Sequence, residues 1–538
     1  MSKTRINNQK FEVRKMLNRV LKTTSGALML SVATMANAET VQLNSLDGGM
    51  TLTGELIDFD GANYELRTVV GTITVDAFKV ECIGEACPSR NDGPVEYGIS
   101  GSSRLVDVLF ADLTTQFGEE IGGTALRSEE EGVDKLLLRN ELGEFLAEVS
   151  LMGGDSADGI KQLVDGNSAL AVTTRPVQPD ELASASQAGL GDITTSENEK
   201  IFALDGLVVI TSQSNQLRAV AEQDLARIFS GAISNWSQIG GPDAPIQLYM
   251  RVPESGTALV FNDLIMNPVG ATYASDTSFF ETDTELAAAV ASDPLGIGIT
   301  SLASADEAKV LAIRGVCGIQ VPATPFTIKT EEYPLSRRLY AYTGKTAPAQ
   351  LNRFMQFLES EKAQETIDAS GFVSLGESLQ GPNEQGLRYL GAVMPTDAEV
   401  TLKQLQEMSA ELSGADRSSI TFRFAFGSSR LDTRAQDDIR RLASLLAKEE
   451  TTNKELLLIG YTDSVGAGGS NRSLSQQRAK QVSNALLQAA PTNSLDGLTI
   501  RTLGYGEISP LSCNDTENGR RINRRVEVWL RDVVTTSQ

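Results

Sequence analysis

The stretch GYTDSVGAGGSNRSLSQQRA, residues 460–479, decides how the C-terminal part of the chain is read. The run Leu456-Leu457-Leu458-Ile459 before it has the length and composition of a buried strand, and a polar turn carrying Thr462 and Asp463 ends it. Gly466, Gly468 and Gly469 follow, then Asn471 and apolar residues at Leu474, Ala479, Val482, Ala485 and Leu486. The order is strand, loop, helix, with Asp463 at the strand end and Arg478 in the helix. A carboxylate and a guanidinium brought to one mouth suit a zwitterion: the first takes an ammonium, the second takes a carboxylate through two parallel hydrogen bonds. A solvated surface ion pair worth ~0–1 kcal/mol is the plainer account of the same two residues.

Outward from this stretch, 538 residues imply about three or four domains. The formal charge is −23, and residues 1–38 hold seven basic residues and Glu12, so the remainder stands at −29. A surface that acidic argues against nucleic acid and anionic lipid as partners. There is no histidine, which removes His-dependent triads, His-containing zinc sites and imidazole bases together. No motif points to a bound metal, to a cofactor or to an enzyme.

The first 38 residues read as an export signal. A basic start (Lys3 to Lys22) precedes the apolar stretch Gly26–Met35 and a small-residue motif, Ala36-Asn37-Ala38, with cleavage before Glu39. Met1 and Met16 both fit as the start. Export to a Gram-negative periplasm is the expectation, and no later apolar run approaches the ~20 residues of a membrane-spanning helix. Residues 39–90 read as a small β module, with strands at Leu52–Phe59 and Thr72–Val75, a turn at Asp60-Gly61, and a Cys82–Cys87 disulfide expected in an oxidising compartment.

From 95 to 376 strands and helices alternate, which predicts a parallel sheet with crossover helices. Val95–Ile99 leads into SGSS (100–103), Ala169–Thr173 into TRPV (174–177), Leu207–Ile210 is a further strand, and Ile246–Met250 leads into RVPESGT (251–257). Polar loops at strand ends and helix N-termini offer N–H and hydroxyl donors to an anion; as ordinary N-caps, Ser103 and Ser255 need no ligand. Residues 377–416 form a connector, loop-like at GESLQGPNEQG and helical over Glu399–Leu412. That helix either spaces its neighbours or packs on one of them. Residues 417–533 hold strand Thr421–Phe426, a helix through Ala435–Leu446, and strands at Leu498–Gly504 and Arg525–Leu530. Cys317 and Cys513 lie in different domains and are either an interdomain disulfide or two buried thiols.

Two resemblances organise these pieces. FRFAFGSSRLD (422–432), GYTDSVG, NRSLSQQRA, LGYGEISP (503–510) and CNDTENGRRINRRVEV (513–528) resemble the peptidoglycan-binding OmpA-like domain. The resemblance implies that Asp463 and Arg478 hold the charged ends of diaminopimelate in the stem peptide, with Thr462, Asn471 and Arg524 beside them. Tyr461 stands where that family usually has histidine. LDGLVVITSQSN (204–215), DLARIFSGAISNWSQIGG (224–241), RVPESGTALVF (251–261), PLGIGITSLASADEAK (294–309) and YPLSRRLYAYT (333–343) resemble the PstS-like phosphate-binding proteins of ABC transporters. This implies a type II two-lobed clamp with an oxyanion, foremost phosphate, held by Ser103, Ser156, Thr174, Arg251, Ser255, Gly256 and Thr257. Pro253 and Thr174 replace two family aspartates, Glu254 lies one residue late, and Arg175 adds positive charge.

The expected protein is therefore multidomain: a small β module, an α/β two-lobed periplasmic-binding-protein fold and an α+β OmpA-like domain. It would reside in the periplasm, attached to the cell wall or outer membrane. Its partners would be peptidoglycan, an oxyanion and an ABC permease or envelope protein. The competing expectation is a structural envelope linker whose clamp binds a protein.

Overall fold

The computed structural model describes residues 40–45, 51–59, 63–69, 71–76, 80–84, 86–87, 95–130, 133–140, 143, 145–195, 197–344, 347–381, 386, 401–448, 453–490 and 495–533. The export segment, the Asp60-Gly61 turn and residues 387–400 of the connector lie outside them. The chain divides into two compact units.

The first unit is a five-stranded antiparallel sheet. Its strands are Thr40–Ser45, Thr51–Phe59, Asn63–Thr68, Gly71–Asp76 and Val80–Ile83, arranged fourth, third, second, first, fifth. Val41, Leu43, Tyr64, Leu66 and Val80 form its buried core. The Phe59 and Tyr64 rings stack at 4.6 Å. So small a core gains from a staple, and Cys82 is joined to Cys87.

The second unit begins with two lobes. In the first, Val95–Ser102 lies parallel to both Phe145–Gly154 and Leu170–Thr173. Gly123–Glu130 and Val133–Asn140 extend this sheet as antiparallel strands, so it is mixed rather than parallel throughout as expected. The hairpin was hidden because its residues, GTALRSEE and VDKLLLRN, are charged on one face and break the apolar runs of a doubly covered strand. In the second lobe Gln247–Arg251 lies parallel to Ser278–Phe280 and Gly296–Ser301.

One strand joins the lobes. Glu199–Thr211 gives Phe202 and Ala203 to the first core and Leu207 to Ile210 to the second. Only Leu207–Ile210 was expected as strand, because Asp205-Gly206 reads as a break. Asp205 is tolerated since its register partner on Ser336–Thr343 is Arg337, whose Nη2 donates to it at 2.7 Å with both side chains buried.

The C-terminal sheet runs in the order Leu379–Gln380, Asp416–Arg423, Arg525–Asp532, Lys454–Gly460, Thr499–Gly504. Leu379–Gln380 was expected to be connector; it adds an edge strand to this sheet. Helices Thr433–Lys448 and Gly468–Ala489 cover one face. Leu402–Leu412 covers the other, burying Met408 and Leu412 against Leu457, Ile459, Tyr461 and Trp529. The expected strand–loop–helix is present, and Gly460 is required where it stands: a Cβ there would lie 2.0 Å from the Ser475 carbonyl of the helix.

This sheet and the clamp are one compact unit. Cys317 is joined to Cys513 across 196 residues of sequence, a loop whose closure is worth about 5 kcal/mol in the chain-entropy account. Glu331, left-handed at φ 53° just past the helix Pro325–Lys329, accepts from Arg338 at 2.8 Å, from Arg434 at 2.7 Å and from Arg521 at 3.4 Å. Glu332 pairs with Arg417, which also meets Glu527 at 3.3 Å.

The three guanidinium groups hold the Glu331 carboxyl well below the usual range although burial opposes ionisation. Its stabilisation is therefore present above the unfolded value of about 4.3 and is lost as pH falls through the lower folded value. Glu331→Gln is expected to cost about 3–5 kcal/mol in urea unfolding at pH 7, and to flatten the fall in stability below about pH 4.

Candidate functional site

In the C-terminal domain the strand end and helix start bring Thr462, Asp463, Asn471, Arg478 and Arg524 together. Arg478 is fully buried. Its Nε donates to the Ser428 carbonyl at 2.9 Å, Nη2 to Ala425 at 3.2 Å and Nη1 to Tyr461 at 3.5 Å. Its guanidinium lies 5.1 Å from the centre of the Phe424 ring. Burial pulls this guanidinium down to about 10, against the opposing field of Asp463.

Asp463 is also buried. Its carboxylate accepts from Arg524 Nη1 at 2.8 Å and from the Val465 N–H at 3.2 Å. Asp463 and Arg478 were expected at one mouth, each to take one end of a zwitterion; in the structure Arg524 holds the Asp463 carboxylate and each nitrogen of Arg478 donates to a carbonyl. Arg524 continues to Glu517 Oε1 at 2.7 Å. Asn471 donates to the Asp463 carbonyl at 3.4 Å, and the buried Thr462 hydroxyl has no partner. Tyr461, in the histidine position, turns to the other side of the sheet: its ring packs in the core with Trp529, and the Arg525 guanidinium lies 4.1 Å from its centre.

In the clamp, Ser156, Thr174 and the Ser255–Thr257 loop meet between the lobes, all buried. Ser156 Oγ and Thr174 Oγ1 are 3.3 Å apart, and the Thr174 N–H donates to Ser156 Oγ at 3.1 Å. Gly256 closes on this pair so tightly that a Cβ would lie 2.0 Å from Thr174 Oγ1. Ser255 is an N-cap, accepting from the Ala258 N–H at 3.1 Å. Ser103 is not: its exposed hydroxyl donates to the Gly154 carbonyl at 3.2 Å and makes no cap bond.

Arg251 pairs with Asp283 and also donates to the carbonyls of Phe280 and Glu281. Asp283 is thus the carboxylate beside Arg251, while Glu254 is exposed. The same Asp283 accepts from Thr257 Oγ1 and Thr300 Oγ1, each at 3.2 Å, and Arg337 Nη1 donates to Thr257 Oγ1 at 3.2 Å. Asp283 and Arg337 were missed in the sequence because each lies far along the chain from the loop it serves. The positive charge of Arg175 is taken up by Glu181 through bonds of 2.8 and 2.6 Å.

Residues 121–362 match the PBP superfamily domain, and residues 423–524 match the OmpA family. The phosphate-binding protein PstS of Borreliella burgdorferi is 25% identical over 249 residues, 45% of this chain and 85% of that protein. The peptidoglycan-binding protein ArfA of Mycobacterium bovis is 44% identical over 69 residues, 13% of this chain and 20% of that protein. A solved ABC-type phosphate transport receptor from Vibrio cholerae aligns with a TM-score of 0.39 and 22% identity, covering 52% of this chain and 99% of its own. By these matches residues 121–362 are a domain of the PBP superfamily and residues 423–524 a domain of the OmpA family, each less than half of the chain.

The contact at Gly256 carries a direct expectation. Gly256→Ala cannot be accommodated without moving Thr174, so the lobes should part, increasing the radius of gyration in solution scattering and speeding protease cleavage across the clamp.

Proposed function

We propose that this is an exported envelope protein that attaches without covalent bonds to peptidoglycan and carries a clamp for phosphate or a similar oxyanion, as a receptor for transport or sensing rather than an enzyme. The observation that carries the reading is the union of one domain of the PBP superfamily with one of the OmpA family in a single compact unit. The name of the ArfA relative, a peptidoglycan-binding protein, supports the first half and that of the PstS relative the second. On this reading Asp463 receives the ammonium of a diaminopimelate side chain and Arg478 its carboxylate, with Arg524 yielding Asp463 as the ligand enters. Thr462 and Asn471 line the approach. In the clamp, Ser156, Thr174 and the donors of Ser255, Gly256 and Thr257 face the anion, and Arg251, braced by Asp283, sets its charge. Ser103 would join only if the first loop turned its hydroxyl inward.

A second reading is favoured by one specific observation: each guanidinium nitrogen of Arg251 is already engaged by the protein. The clamp would then serve as a structural linker that contacts an envelope protein or permease instead of a small anion.

Asp463→Ala and Arg478→Ala should each abolish co-sedimentation with purified peptidoglycan while circular dichroism is retained, because charge-assisted hydrogen bonds worth roughly 1.5–3 kcal/mol are lost. Wild-type sedimentation by both variants would refute the wall site. Phosphate at a hundredfold excess over Kd should stabilise the chain by about 2.7 kcal/mol, raising its Tm. An unmoved Tm with phosphate, sulfate and related anions would favour the linker.

A further inference from the structure

A feature not absorbed by the two sites is the space between them. A cavity of about 930 Å³ is walled by Thr174 and Arg175 of the first lobe, Val260 and Leu264 of the second, and residues 423–436 of the OmpA-family domain. It touches the backbone of the wall site directly. Ala425 and Ser428, whose carbonyls receive Arg478, line it, and so does Arg524, which holds Asp463.

The lining is unusually cationic for this chain. Seven arginines face four carboxylates there, in a protein of net charge −23. Several of these arginines are neutralised locally, but three are not fully used. Arg175 and Arg423 are both more than nine-tenths buried, and the Nε of each has no hydrogen-bond partner. A buried guanidinium N–H without an acceptor costs about 1–3 kcal/mol. Arg430 is exposed and has no carboxylate partner among the described residues.

We propose that this cavity binds an acidic peptide, the carboxylate-bearing remainder of the stem whose diaminopimelate enters the wall site, so that the PstS-like domain forms part of the peptidoglycan-binding surface. The inference rests on the wall-site reading above. The volume is that of a site for a molecule of several residues, and an inorganic oxyanion would occupy a small part of it. Val260, Leu264 and Leu431 supply apolar contact for alanine methyl groups, while exposed Arg430 supplies donors for a carboxylate and the surplus of arginines in the wall supplies a favourable field.

The test is calorimetry on the full oxidised chain with three probes: meso-diaminopimelate, the tripeptide L-Ala-γ-D-Glu-meso-diaminopimelate, and inorganic phosphate. The tripeptide should bind at least tenfold more tightly than the free amino acid. Arg430→Ala, and Gln436→Trp at an exposed position of the cavity wall, should each weaken the tripeptide about fivefold or more and leave diaminopimelate unchanged. Equal affinity for tripeptide and diaminopimelate, or a tripeptide affinity indifferent to both variants, overturns the proposal while the wall site stands. Binding of neither compound overturns both. Phosphate binding that Arg430→Ala weakens, with no tripeptide preference, would assign the cavity to a small anion and overturn the peptide.

Discussion

The carboxylate of Glu331 ties the two-lobed domain to the OmpA-family domain. It sits in a left-handed turn past a five-residue helix and receives three guanidinium groups, Arg338 from its own domain and Arg434 and Arg521 from the OmpA-family domain. Removing that many charges from water costs several kcal/mol per ion, recovered only where the remaining donors are satisfied. Here Arg434 also donates to the Lys329 carbonyl at 3.0 Å and Arg423 to that of Thr330. Such a junction is directional. An apolar interface of similar size tolerates sliding, whereas this one loses several bonds at once if either domain turns.

That rigidity is what gives the intervening cavity a shape. The segment Lys329–Glu332 is a corner on the clamp side, next to the strand that crosses between the lobes, and the OmpA-family domain grips it there. The loop at Ala425 and Ser428, whose carbonyls receive Arg478, therefore stands at a set distance from Thr174, the residue on which Gly256 closes. Neither domain alone would present this space. Its cationic lining is a property of the junction, against the acidic balance of the chain as a whole.

Much of this architecture was legible beforehand. The strand–loop–helix at 454–489 follows from the run Leu456–Ile459 and the glycines after it, and the two-lobed clamp was implied by the resemblance of residues 204–343 to the PstS-like proteins. Other parts were not. The strand through Asp205 looked interrupted because an isolated aspartate disfavours a buried strand, and only the opposing Arg337 makes it stable. Arg524 as the partner of Asp463, and Asp283 as the brace of Arg251, depend on side chains 61 and 32 residues away, a distance that local pattern does not encode. Tyr461 was read as a change at the site, yet the alternation of the strand turns it to the opposite face. Gly256 was legible as a loop residue, whereas its close approach to Thr174 depends on how two lobes meet.

The bridge between Cys317 and Cys513 has a temporal consequence. A chain synthesised from its N-terminus presents Cys82 and Cys87 early and only five positions apart, so they can pair at once. Cys317 must wait for 196 further residues, by which time both lobes have been made and the final strands are emerging. Its bond can therefore close only once both lobes have been made, and a chain that stops short of residue 513 leaves Cys317 without its partner.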